Sequence, residues 1–216
     1  MLIRCLSLTL CASLLAFAQA SYNDCPLEGS ARDEAHRLRN RLKNRYNLPD
    51  QSQVASSITL EALLSPGNDR TRFRTSQAAT IVGYVVRVIP GGLGESCNCG
   101  STSKRYRDTH IELALSVSDS APERRIIVEV TPRIRAAMLK QGIDWSTDNL
   151  AQKIEHQRVR ISGWMFFDED HAEESENTAF RGSNRQKIWR ATAWEVHPVT
   201  RIEVRDRDRW VAVDQL

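Results

Sequence analysis

Several familiar signatures are missing from this 216-residue sequence. It holds no Gly-x-Ser-x-Gly, no phosphate-binding loop and no dinucleotide fingerprint, so the common acyl-transfer, nucleotide-hydrolysis and nicotinamide chemistries have no motif to rest on. Charge of one sign is not in excess either: Lys and Arg number 30 against 27 Asp and Glu, a net of +3. Such a balance argues against a surface built to wrap extended nucleic acid. No internal repeat is visible. The one long apolar stretch, Cys5 to Phe17, is too short to span a bilayer and soon turns polar. With Arg4 before it and Ala18-Gln19-Ala20 after it, the stretch fits a cleaved signal peptide. A secreted or periplasmic chain starting near Ser21 is therefore expected, with no transmembrane segment once the signal is removed.

Cysteine is scarce as well. Of five, Cys5 and Cys11 fall in the signal, leaving Cys25, Cys97 and Cys99. Three is an odd number, so one thiol stays spare unless it pairs between molecules. A Cys97–Cys99 bond would close a very small ring. Cys25 is expected to bond to Cys97 or Cys99, tying the N-terminal segment to the rest. A metal site built from Cys97, Cys99 and a histidine is the rival reading, and an oxidising compartment favours the disulfide.

Residues 31–46 read as a helix, with Ala31, Ala35, Leu38 and Leu42 at helical spacing and arginines on the other side. The plain reading is a docking helix with a solvated basic face; a phosphate-binding face is the sharper one. Thr59 can cap a short helix through Leu64. Strand texture starts at Thr80. Strands are expected over Thr80–Ile89, with Gly83 as a bulge, and over Asp108–Val117, Arg125–Thr131, Arg158–Phe167 and Trp189–Val196. Pro198 interrupts the last, and Thr200–Val204 can continue the sheet. Between the third and fourth strands come a helix from Arg133 to Gln141 and a second, capped by Thr147, to about His156. Five short strands with helix between the third and fourth are the pattern of an OB-fold, a five-stranded, partly open Greek-key barrel. The expected class is mainly β with minor α: signal peptide 1–20, N-terminal helical extension 21–75, barrel 76–204 and a solvated C-terminal tail 205–216.

The richest run is Arg107-Asp108-Thr109-His110-Ile111-Glu112-Leu113-Ala114-Leu115. Side chains alternate across a strand, so Asp108, His110 and Glu112 share one face and Ile111, Leu113 and Leu115 the other. Glu129 can join the polar set from the neighbouring strand. The plain reading is a strand face polar because water covers it. The functional one is a polar-ligand or metal site, with Asp108, His110 and Glu112 as candidate ligands for zinc, manganese or iron rather than calcium. Downstream, Trp194-Glu195-Val196-His197-Pro198 places Glu195 and His197 on one face, as an acid/base pair or as a buried histidine bonded to backbone. The loop Asp168 to Asn177, with His171, begins acidic, without EF-hand spacing; it reads as solvated, with cation binding as the functional alternative. Trp164, Phe166 and Trp189 could form an aromatic patch for stacking bases or sugars, or pack in the core.

Asp108-Thr109, Arg125 before Ile126-Ile127-Val128, and Thr131-Pro132 resemble the thermonuclease (staphylococcal-nuclease-type) branch of the OB-fold over about 80–133. That resemblance implies metal-assisted phosphodiester cleavage, with Arg125 as a catalytic arginine. Two departures weigh against it: Val130 stands where the family has a calcium-binding Asp, and Arg133 where it has a catalytic Glu. Cleavage would need hard oxygen ligands and a group to position water, a task left to Glu112 and Glu129. The whole mature chain also resembles an uncharacterised group of secreted bacterial OB-fold proteins, through Cys97-Asn98-Cys99, Asp108 to Leu113, Val128 to Arg133, Gly163-Trp164 and Trp189 to Thr200; this implies one self-contained domain. The expected function is a secreted OB-fold ligand-binding module for a small ligand, saccharide, nucleotide or protein. His110, Glu112, Arg125, Trp164 and Trp189 are its candidate ligand-binding residues. The alternative is a divergent metal-dependent hydrolase of thermonuclease type, with Glu112, Glu129, Arg125 and His197 as candidate catalytic residues and a divalent metal as its cofactor.

Overall fold

Apolar–polar alternation along β-branched strands sets the architecture. The computed structural model describes residues 24–119, 121–179 and 187–216; the signal peptide expected at residues 1–20 lies outside the described residues. Six strands form one sheet: β1 (Ala78–Pro90), β2 (Thr109–Ala114), β3 (Ile126–Val130), β4 (Arg158–Phe167), β5 (Trp194–Asp206) and β6 (Arg209–Ala212). Strand β1 pairs antiparallel with β2 and β4, β2 with β3, and β4 with β5. Parallel pairing of Ile127 with Glu195 and of Val128 with Val196 joins β3 to β5 and closes a five-stranded barrel. The circuit 1-2-3-5-4-1, with α3 (Pro132–Leu139) and α4 (Thr147–Ile154) between β3 and β4, is that of an OB-fold. Ile111, Leu113, Val128, Val130 and Ile161 fill the interior with Trp194 and Val196, as the alternation predicts. His110, Glu112 and Glu129 take the other face.

Several local expectations need correction. Strand β5 starts at Trp194 rather than Trp189 and runs through Pro198 to Asp206. Proline brings no ladder donor, and it sits where the β4–β5 register shifts on both sides of Gly163. That glycine is required: a Cβ there would stand 2.4 Å from the Pro198 carbonyl oxygen. The other expected bulge, Gly83, pairs regularly with Val159, and the shift in β1 falls between Val85 and Arg87. Gly83 makes room for α2 (Leu60–Leu64), since a Cβ would lie 2.7 Å from a Leu60 methyl. Ser146, not Thr147, caps α4 by accepting from the Asn149 N–H. Residues 205–216 carry β6, which folds back on β5.

Helix α1 (Glu34–Lys43) is shorter than the expected 31–46, and its apolar stripe does not dock: Leu38 is 50% exposed. Amides hold it instead. Asn40 donates to the Glu28 carbonyl at 2.7 Å, and Asn44 to the Leu27 and Cys97 carbonyls at 3.0 and 2.9 Å. Arg133 of α3 donates to the Cys25 and Pro26 carbonyls, each at 2.6 Å, and a Cys25–Cys99 disulfide locks the same segment to the β1–β2 loop. The N-terminal segment is thus stitched to the barrel by polar contacts and one covalent bond.

Two substitutions test this description. Gly163→Ala should lose about 1–3 kcal/mol to overpacking, read as a lower denaturant midpoint with an unchanged slope. Cys25→Ser should lose about 2–5 kcal/mol and make the N-terminal segment accessible to protease while the barrel persists.

Candidate functional site

The outer face of β2, β3 and β5 would be solvated in an open sheet. Here α1, the β1–β2 loop and the β4–β5 loop cover much of it, framing a partly open cavity of about 480 Å³. Lys43, Glu95, His110, Glu129, Phe166 and Trp189 contribute to its wall. Its position between the loop after β1 and the loop after β4 is the one OB-folds use for ligands. Burial replaces the solvation expected of this strand face: Glu112, Glu129, Glu195 and His197 are all nearly inaccessible.

Charges taken from water must find partners, and these do. His110 Nδ1 lies 3.0 Å from Glu129, and His197 Nδ1 lies 3.1 Å from Glu129 and 3.2 Å from Glu195. Burial alone would push the Glu129 carboxyl up, but hydrogen bonds from both histidines outweigh it and hold the group well below the ordinary carboxylate range. Burial likewise opposes charge on His197, yet Glu129 and Glu195 raise it to about 10. Asp108 behaves differently. Burial pushes it up to about 7, with Glu95 and Glu129 repelling its charge and His197 opposing the rise.

A second cluster is centred on Arg190, which is wholly buried. It donates to Glu195 at 2.6 Å, Asp168 at 3.0 Å and the Ser175 hydroxyl at 2.9 Å. Asp168 also meets His171 Nδ1 at 2.6 Å. Burial would raise Asp168, but the bond from His171 and the charges of Lys43 and Arg190 hold it far below the usual range. The start of the acidic loop is therefore an anchor, not the solvated run expected of it.

The expected site residues sort as follows. His110, Glu129 and Trp189 reach the cavity. His197 lies beneath it, held by carboxylates rather than by backbone as the plain reading expected. The Glu112 carboxylate is occupied by Arg125 at 2.8 Å and by Arg87. Asp108 accepts from Asn98 Nδ2 at 3.0 Å and from the Cys97 thiol at 3.8 Å, and neighbours His197 at 3.9 Å. Trp164 is buried elsewhere, donating its indole N–H to the Asn47 carbonyl at 2.7 Å. The sequence reading missed Lys43 and Glu95 as site residues, took Asp168 only as part of a solvated or cation-binding loop, and gave Arg190 no role, although an arginine inside Ile188-Trp189-Arg190-Ala191-Thr192-Ala193-Trp194 is a sequence-level sign of a buried, paired charge.

Comparison with protein-family models, with curated proteins and with solved structures returns no match for this chain.

The Asp168–His171 pair gives a pH signature. The hydrogen bond to Asp168 raises the His171 pKa above its ordinary value, against partial burial. A raised histidine stabilises fully below its unfolded pKa of about 6.5 and loses that contribution as pH rises through the folded value. Asp168, held low, stabilises above about pH 4 and loses its contribution in acid. His171 lies 5.6 Å from Trp189, so tryptophan fluorescence should titrate with a midpoint above 6.5. Asp168→Asn should bring that midpoint down.

Proposed function

We propose that the protein is a binding module acting in an oxidising, extracytoplasmic space, and that its ligand is a small polar molecule without net charge, a saccharide by preference. One observation carries this reading. The cavity wall is densely charged, yet its charges are already neutralised by one another, and an aromatic ring stands among them. A ligand with net charge would have to break a buried pair. A hydroxylated neutral ligand need not, because paired carboxylates and guanidinium groups keep spare lone pairs and N–H groups for it. Trp189 supplies an apolar plate flanked by His110 and His171, with ring centroids at 5.7 and 5.6 Å. A volume of about 480 Å³ lies within the roughly 300–1,000 Å³ of small-molecule pockets.

The hydrolase reading draws on the gathering of Asp108, Glu129 and His197 in one buried group. The thermonuclease-type arrangement is less well supported. Arg133, at the position of that family's catalytic Glu, is engaged with the Cys25 and Pro26 carbonyls. Two arginines occupy Glu112, and Val130 packs in the barrel interior.

Calorimetric titration with mono- and disaccharides beside mono- and dinucleotides tests the proposal. Saccharide binding should appear in the wild type and weaken at least tenfold in Trp189→Ala. Saturable binding of nucleotides alone, or chelator-sensitive cleavage of single-stranded DNA or RNA that is lost in Glu129→Gln, would replace it with the hydrolase reading.

A further inference from the structure

Beneath the cavity lie donor atoms that the ligand reading does not use. Two of them lack partners. His197 Nε2 and Asp108 Oδ1 are buried with no hydrogen-bond partner among the described residues, and both side chains are almost wholly inaccessible. Nδ1 of the same imidazole is directed at Glu129 and Glu195. Carboxylates on Nδ1 hold a proton there, so Nε2 is the nitrogen that binds an ion once its own proton is displaced, the outer-shell arrangement found around metal-bound histidines. Nε2 lies 3.9 Å from Asp108 Oδ2, the oxygen that Asn98 also reaches, too far for a hydrogen bond. Asp108 in turn lies 3.8 Å from Cys97 Sγ, and Cys97 Sγ lies 3.3 Å from Glu95 Oε2. Donors about 2.0–2.3 Å from a tetrahedral ion stand roughly 3.3–3.8 Å apart; the Glu95–Cys97, Cys97–Asp108 and Asp108–His197 separations lie near that range, and His197 joins Glu95 and Cys97 through a shift about Asp108.

We infer that Glu95, Cys97, Asp108 and His197 form a binding site for one zinc-class dication. Glu95, Cys97 and Asp108 already bring one ligand atom each to within 4.8 Å of one another, and Asp108 belongs equally to a second such group with Glu129 and His197. The sulfur and the imidazole select a transition metal over calcium or magnesium. Cys97 is available because Cys99 is taken by the disulfide. Charge balances: the ion displaces the thiol proton of Cys97 and the Nε2 proton of the His197 imidazolium. Both protons leave to solvent, and two positive charges replace them. Glu95 lines the cavity and offers the entry path. The site does not depend on the saccharide reading: Glu95 and Cys97 border the cavity, but the cobalt band reads Cys97 and the saccharide test reads Trp189, so each can fail without the other.

Cobalt(II) titration of chelator-stripped protein, with the Cys25–Cys99 bond verified by peptide mapping, tests the inference. One equivalent should bind with a thiolate-to-cobalt charge-transfer band, and zinc should abolish that band. Cys97→Ser should remove the band, and Glu95→Gln, with its fold verified by circular dichroism, should weaken binding at least tenfold. Absence of the band in folded wild-type protein overturns the site, as does its persistence in Cys97→Ser. Unchanged affinity in Glu95→Gln removes the assignment as drawn.

Discussion

The parallel contact between β3 and β5 is short, two residue pairs long, yet the rest of the molecule depends on it. It converts an open antiparallel sheet into a barrel. It also puts Glu195 and His197 beside Glu129 on the outer face while sending Trp194 and Val196 inward. Without that closure His110 would still meet Glu129 across β2 and β3, but that polar pair would face solvent, apart from Glu195 and His197. With it, three strands contribute to one polar floor, and a single imidazole can bridge carboxylates from two of them.

A polar floor is costly to cover, and the cover itself shows how the cost is met. Helix α1 arrives with Lys43 and with the amides of Asn40 and Asn44, and the β4–β5 loop arrives with Asp168 and, near its end, Arg190. Each covering element brings charges or hydrogen-bonding groups that the floor or its neighbours lack. Such interlocked pairs add little net stability over an apolar core, but removing one member strands its partner. Cover and floor therefore specify one another, and the cavity between them inherits a fixed pattern of donors and acceptors.

Much of the barrel was legible in the chain because alternation is a local signal: Ile111, Leu113, Val128 and Val130 could be assigned inward from their neighbours alone. The fifth strand was harder. Pro198 reads as a break, and only the register shift opposite Gly163 makes it acceptable within a strand. The polar side was half legible. His110, Glu129 and His197 could be named from their own strands, but their meeting depends on which strands neighbour each other around the barrel, which no single segment encodes. Lys43 and Glu95 were invisible because they come from a helix and a loop whose docking rests on asparagine–carbonyl contacts rather than on an apolar stripe. Asp168 looked solvated because its run is acidic, when it is in fact the residue that anchors that run.

The spare thiol bears on how faithfully the chain keeps the Cys25–Cys99 crosslink. Cys97 sits two residues from Cys99, and the Cys25 sulfur lies 3.7 Å from the Cys97 carbonyl oxygen. Such neighbours invite exchange, in which a thiolate attacks the existing bond and re-forms it with the wrong partner. Burial pushes the Cys97 thiol well up; Lys43 opposes this, while Asp108 and Glu95 reinforce it. The attacking species is therefore scarce at neutral pH. The same acidic, dry surroundings that shape the floor of the cavity thus act as a kinetic guard, keeping an odd number of cysteines from scrambling.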